Sequence, residues 1–341
     1  MAETVARNAG GRKRLQDLGF DLPLLPASSV GSLPKPPELM EARAAARRGE
    51  LSAGKLDEAA KRATEHWIRK QEELGLDVLV DGEMYRGDMV AYFAEHLRGF
   101  RRGGLVRSYG NRYHYKPVIS GIVHWPGPVT VGWWKFAQSL TAKPVKGVLT
   151  GAYTMMDWSF NEHYPGRKAA AFAIARELRR EAEALVRAGC KVIQIDEPAL
   201  YARPEEIEVA VEAVRLVAGG LSAYFLVHAC YGPLEGVYPA LLEMPVHNLD
   251  LEMTNSEPDL AGLFSRHPCP KDVSIGVVDV HARRVETAEA VRRRVKKALE
   301  ALAPGQVWVH PDCGLKTRTA AEAEEKLRVI AGVAGEMRAQ L

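Results

Sequence analysis

Read by its hydrophobic and polar positions, the chain repeats one unit: an amphipathic helix, a glycine, a short apolar strand and then an acidic residue. Ala60, Ala63, Trp67 and Leu74 share one helical face. Gly75 can end that helix, and residues 77–80 run into Asp81-Gly82-Glu83. Further on, Ile174, Leu178 and Leu185 form a second stripe before Gly189, and residues 192–195 run into Asp196-Glu197-Pro198. A 3.6-residue period that gives way to a short continuous apolar run means helices alternating with strands buried on both faces, hence parallel strands. The pattern predicts strands near 24–30, 78–81, 146–151, 192–196, 223–228, 249–252, 274–279 and 307–311, the number that closes a barrel. The expected class is therefore α/β, a single (β/α)8 TIM barrel over residues 23–341. Residues 1–22 would be an N-terminal extension, and residues 100–125 an insertion folded as a hairpin. An open doubly wound sheet is the alternative, but no G-x-G-x-x-G follows a strand to support it.

Composition changes this picture little. The chain has 341 residues, 47% hydrophobic and 26% charged, enough for a large core without covalent staples. A formal net charge of +3 argues against a nucleic-acid partner. Basic runs such as Arg292, Arg293, Arg294, Lys296 and Lys297 read as solvated helix faces. There is no long uncharged apolar run and no signal-like N-terminus, so the expectation is a cytosolic chain that neither enters nor crosses a membrane. The four cysteines, Cys190, Cys230, Cys269 and Cys313, then read as thiols or metal ligands. Cys190 suits a core position, and Cys269, between two prolines, an idle one.

Chemistry gathers at the C-terminal ends of the expected strands. Ser32, Glu83, Asp196, His228 with Cys230, Glu252, Asp279 with His281, and Asp312 with Cys313 each follow or end one of them. Barrel active sites lie on that face. Residues two apart in extended chain point the same way, so His228 and Cys230 can grip one ion. With Glu252 and Cys313 they form an N, S and O donor set that suits Zn2+.

The motifs Ser29-Val30-Gly31-Ser32, Asp81-Gly82-Glu83, Ala137-Gln138-Ser139-Leu140-Thr141, Ile193-Gln194-Ile195-Asp196-Glu197-Pro198, His228-Ala229-Cys230-Tyr231 and Pro311-Asp312-Cys313-Gly314-Leu315-Lys316-Thr317-Arg318 resemble one family. It is the catalytic C-terminal half of cobalamin-independent methionine synthase, and the likeness runs from about residue 26 to the end. The resemblance implies that His228, Cys230, Glu252 and Cys313 ligate zinc. It implies that the backbone of Val30, Gly31 and Ser32 holds the carboxylate of L-homocysteine while Glu83 and Asp196 take its ammonium group. His281 would handle a proton near the methyl donor, and Arg112 and Trp158 match donor-site positions. Two departures bear on the donor: Tyr113 stands where the family has Cys, and Ala202 where it has an acidic residue. Together with the lack of a first barrel, they make methylcobalamin or a methylated corrinoid protein the expected donor, ahead of methyltetrahydrofolate. The expected reaction is methylation of homocysteine to methionine. The rivals are a related zinc enzyme with another thiol acceptor and a non-catalytic barrel with structural zinc that docks a corrinoid protein.

Overall fold

The computed structural model describes residues 10–108, 112–230, 232–254 and 259–341. Tyr231 and the side chains of Arg112 and Tyr113 lie outside the described residues. The chain forms two compact units, one of Met1–Tyr85, Trp133–Lys146 and His247–Leu341, the other of Arg86–Gly132 and Gly147–Val246.

In the first unit, strands Asn248–Leu251, Asp272–Gly276 and Val307–His310 pair in parallel, each fully buried. Parallel bridges join Ala27 to Val309, Ser28 to Val78, and Leu79 to Val145. The first expected strand, 24–30, thus shrinks to a two-residue bridge. Pro26 has no N–H to give and Leu25 sits at φ 49°, outside strand geometry. The Ala27 N–H instead donates to Asp77 Oδ2 at 2.8 Å. Helix Ala53–Glu73 starts where the Ser52 side chain accepts from the Lys55 N–H, and it buries Ala60, Ala63, Trp67 and Ile68. Its buried Gln71 pairs with both the N–H and C=O of Val80, fixing the helix to the strand that leads into Asp81. Helix Ala320–Arg338 opens on a Thr319/Glu322 capping box. Residues 10–22, expected as an extension, include helix Gly10–Asp17 and bury Leu15 and Leu22.

In the second unit, strands Gly147–Thr150, Val192–Asp196 and Tyr224–Ala229 are parallel and wholly buried. Helix Arg167–Arg187 covers this sheet region with Ala171, Ile174, Leu178 and Leu185, and Gly189 follows at φ 99°. Strands Arg98–Ser108 and Arg112–His124 are antiparallel, and Phe160–Asn161 adds in parallel to the second. Among the described residues, no helix is long and apolar enough to cross a membrane.

Candidate active site

The second unit supplies two strand ends. Asp196 and His228 are register partners on the neighbouring strands, and the Glu197 N–H donates to the His228 C=O at 2.9 Å. His228 and Cys230 are both buried, and alternation along the strand turns them to one side. Gln194 donates to Asp196 Oδ1 at 2.7 Å, holding that carboxylate from the same strand two residues back. The adjacent Glu197 is fully buried. It accepts from the Tyr153 N–H at 3.1 Å, the Thr154 N–H at 2.8 Å and the Thr154 hydroxyl at 2.7 Å. Burial nevertheless pushes its carboxyl up to about 7, with the Asp196 charge adding to the rise. A Cβ on Gly151 would lie 2.1 Å from Glu197 Oε1, so only glycine fits there. Trp158, half-buried, follows the short helix Ala152–Asp157 that Glu197 anchors.

The first unit carries the other expected residues. The Val30-Gly31-Ser32 segment is buried between two turns. On one side the Leu315 N–H donates to the Ser32 C=O at 2.7 Å, and a Cβ on Gly314 would sit 2.1 Å from Ser32 Oγ. On the other, the Leu33 N–H donates to the Gly82 C=O at 3.1 Å. Within that second turn Gly82 has φ 71° and Glu83, a non-glycine residue, φ 57°. The Asp81 carboxylate accepts from the Glu83 N–H at 2.8 Å and steadies this left-handed pair. Glu83 is buried.

Asp312, beside Cys313, is 1% exposed. Its Oδ1 accepts from the Met253 N–H at 3.0 Å and the Thr254 N–H at 3.2 Å, pinning the chain just beyond Glu252. Burial outweighs these bonds and pushes its carboxyl up to about 8, with the charges of Glu252 and Asp279 adding to the rise. His281 is exposed, and its N–H donates to Asp279 Oδ1 at 2.7 Å.

His228 and Cys230, in the second unit, and Cys313, in the first, each offer an atom of the kind that ligates a metal. Glu252, expected as a further ligand, is half-buried and follows the end of its strand. Cys190 is buried, its thiol pushed up to about 12 by burial, which makes it inert as a ligand. Cys269 is also buried, with Sγ 3.6 Å from the Lys271 C=O. Sequence reasoning gave no role to Glu197 or Asp312. The signal was their adjacency to Asp196 and Cys313, but burial and backbone partners are not visible in a motif.

Residues 25–336 match the family described as "Cobalamin-independent synthase, Catalytic domain". The chain is 42% identical over 340 residues to the 5-methyltetrahydropteroyltriglutamate–homocysteine methyltransferase of Chelativorans sp. (strain BNC1), covering 96% of this chain and 44% of that protein. The enzyme of the same name from Histophilus somni (strain 2336) is 40% identical over 97% of this chain and 45% of its own length. The chain thus spans about half the length of the curated relatives it matches. A solved B12-independent methionine synthase from Shewanella sp. W3-18-1, in complex with selenomethionine, superposes with a TM-score of 0.84 at 29% identity, over 93% of this chain and 98% of that one. The fold class is accordingly α/β, of the (β/α)8 TIM-barrel type.

These findings overturn methylcobalamin and a corrinoid protein as donors. The family is described as cobalamin-independent, and the relatives' names carry a folate donor. The Shewanella protein, matched over 98% of its own chain, is likewise named B12-independent. Tyr113, in strand Arg112–His124, and Ala202, after the 3-10 turn Pro198–Tyr201, are two single positions against a family match that runs over residues 25–336.

Proposed function

Because the chain belongs to the family of cobalamin-independent synthase catalytic domains, we propose that it is a zinc-dependent methyltransferase that converts L-homocysteine to L-methionine with a 5-methyltetrahydropteroylglutamate as donor. What supports this reading is the family match together with His228, Cys230 and Cys313, two thiols and one imidazole that suit zinc in number and softness. Three protein ligands leave a position for substrate, the mark of a catalytic rather than a closed structural site. In the absence of the acceptor thiol, Glu252 would complete the set of residues that hold the metal. Zinc, when bound, lowers the pKa of the acceptor thiol from about 8.5 and so keeps it ionised at neutral pH.

The chain's own residues do the rest. Backbone N–H groups of Val30, Gly31 and Ser32 bind the α-carboxylate, and Glu83 and Asp196 bind the ammonium group, aiming the sulfur at the methyl carbon. Arg112 and Trp158 are proposed to belong to the donor site. In the transfer the N5–CH3 bond breaks as the S–CH3 bond forms, and His281 delivers the proton that the departing N5 needs.

Zinc content of Cys230→Ser and Cys313→Ser tests the site. Both are expected to lose the metal and methyl transfer together, and full zinc retention in both would place the site elsewhere. Methionine formation from homocysteine and methyltetrahydropteroyltriglutamate tests the reaction; no turnover by zinc-loaded protein would refute it.

A further inference from the structure

The loop that carries His281 is held from outside the site. Lys326, on helix Ala320–Arg338, has a side chain 0% exposed, and its ammonium lies 2.9 Å from Glu286 Oε2, itself on a side chain 6% exposed. The same ammonium donates to the Arg284 C=O at 2.7 Å. The other oxygen of Glu286 accepts from the Asp279 N–H at 2.9 Å, and the Asp279 carboxylate accepts from the His281 N–H at 2.7 Å. The start of the loop is tied to the segment that bears Cys313, since the Asp312 N–H donates to the Val278 C=O at 3.0 Å. A continuous run of charge-assisted bonds thus links a buried ion pair to the backbone of His281.

We infer that Lys326 and Glu286 are positioning residues for His281. They touch no reactant and act by fixing the loop from which the imidazole reaches the donor. A buried ion pair is a costly way to stabilise a fold, because desolvation offsets most of the attraction. It is a good way to hold one geometry: Lys326 fixes the Glu286 carboxylate, whose second oxygen is then fixed against the loop backbone. A small displacement of a proton donor lowers the rate steeply, so the ordering of this loop should appear in turnover and not in substrate affinity.

This inference rests on the proton role proposed for His281, and the test separates the two. The neutral double variant Glu286→Gln/Lys326→Met leaves no unpaired buried charge. It is expected to lower kcat about tenfold or more, with zinc content and the KM for homocysteine within about twofold of the parent. The same pair of substitutions is then made in a His281→Ala background. If the pair acts through His281, kcat falls no further there. An equal fall in both backgrounds would show a merely structural role and overturn the inference, as would an unchanged kcat in the double variant. If His281→Ala itself turns over like the parent, it is the proton role that fails. Glu286→Asp keeps the charge opposite Lys326 but is one methylene shorter towards the Asp279 N–H, and serves if the double variant does not fold. Its smaller loss of kcat must also vanish in the His281→Ala background.

Discussion

Two turns of nearly identical sequence logic present the carboxylates proposed to bind substrate, and they hold them by opposite means. Asp196 ends a regular, fully buried strand and is steadied by side chains: Gln194 from behind, and beside it Glu197, whose three hydrogen bonds join the turn to helix Ala152–Asp157. Glu83 is placed by its backbone. Gly82 and Glu83 both lie in the left-handed region, and that conformation costs a non-glycine residue about 1–2 kcal/mol. The Asp81 carboxylate and the Gly82 C=O to Leu33 bond offset the cost. One acid depends on neighbours that could be removed, the other on φ angles that could be forbidden. The comparison teaches that a shared motif specifies which group is presented and not what presents it.

The sharpest break falls on the side-chain-supported turn. Glu197→Ala removes the acceptor of two buried N–H groups and a hydroxyl and opens a cavity beside Gly151. A loss of about 3–5 kcal/mol in unfolding free energy is expected, read by denaturant melts. A loss below about 1 kcal/mol would show that the helix finds other partners. Binding gives the next effect. Asp196→Asn and Glu83→Gln each remove one charge-assisted bond to the ammonium group, worth about 1.5–3 kcal/mol, so homocysteine should bind about tenfold or more weakly to each. Zinc content should stay at the parent level. Calorimetry that finds either variant unaltered would remove that residue from the substrate site.

Much of this was legible in the sequence because it follows from period and burial. Continuous apolar runs marked the parallel strands, and each ended in a polar residue at the place where a strand leaves the core. The two-residue spacing of His228 and Cys230 already put both on one side. What was not legible depends on contacts between distant residues. The bonds from Glu197 to Thr154 and from Lys326 to Glu286 join residues about forty positions apart, and no local pattern announces them. The first strand failed for a local reason that was open to view: Pro26 lacks an N–H, so the 24–30 run could not pair along its length. The donor was misread because two single positions, Tyr113 and Ala202, were given more weight than the motifs shared along the rest of the chain.

The smallest effect belongs to the backbone-supported turn and tests its half of the comparison directly. A Cβ at Gly82 would come 2.8 Å from Met84 Cε and 3.4 Å from Leu33 Cβ. The first contact is with the free end of a flexible side chain, which can swing away, and the second needs only a slight adjustment. The larger obstacle in Gly82→Ala is φ 71°, which alanine adopts at a cost of about 1–2 kcal/mol. Part of that is returned, because alanine has less freedom to lose from the unfolded chain, about 0.4–1 kcal/mol. The expected net loss is about 1 kcal/mol in unfolding free energy, with a weakening of homocysteine binding as the Glu83 carboxylate shifts. The equivalent change on the other turn, Gln194→Ala, removes a side-chain support without touching φ. It should therefore alter the Asp196 contribution to binding while leaving that of Glu83 intact. Gly82→Ala binding homocysteine like the parent would mean that the left-handed pair is incidental to where Glu83 points.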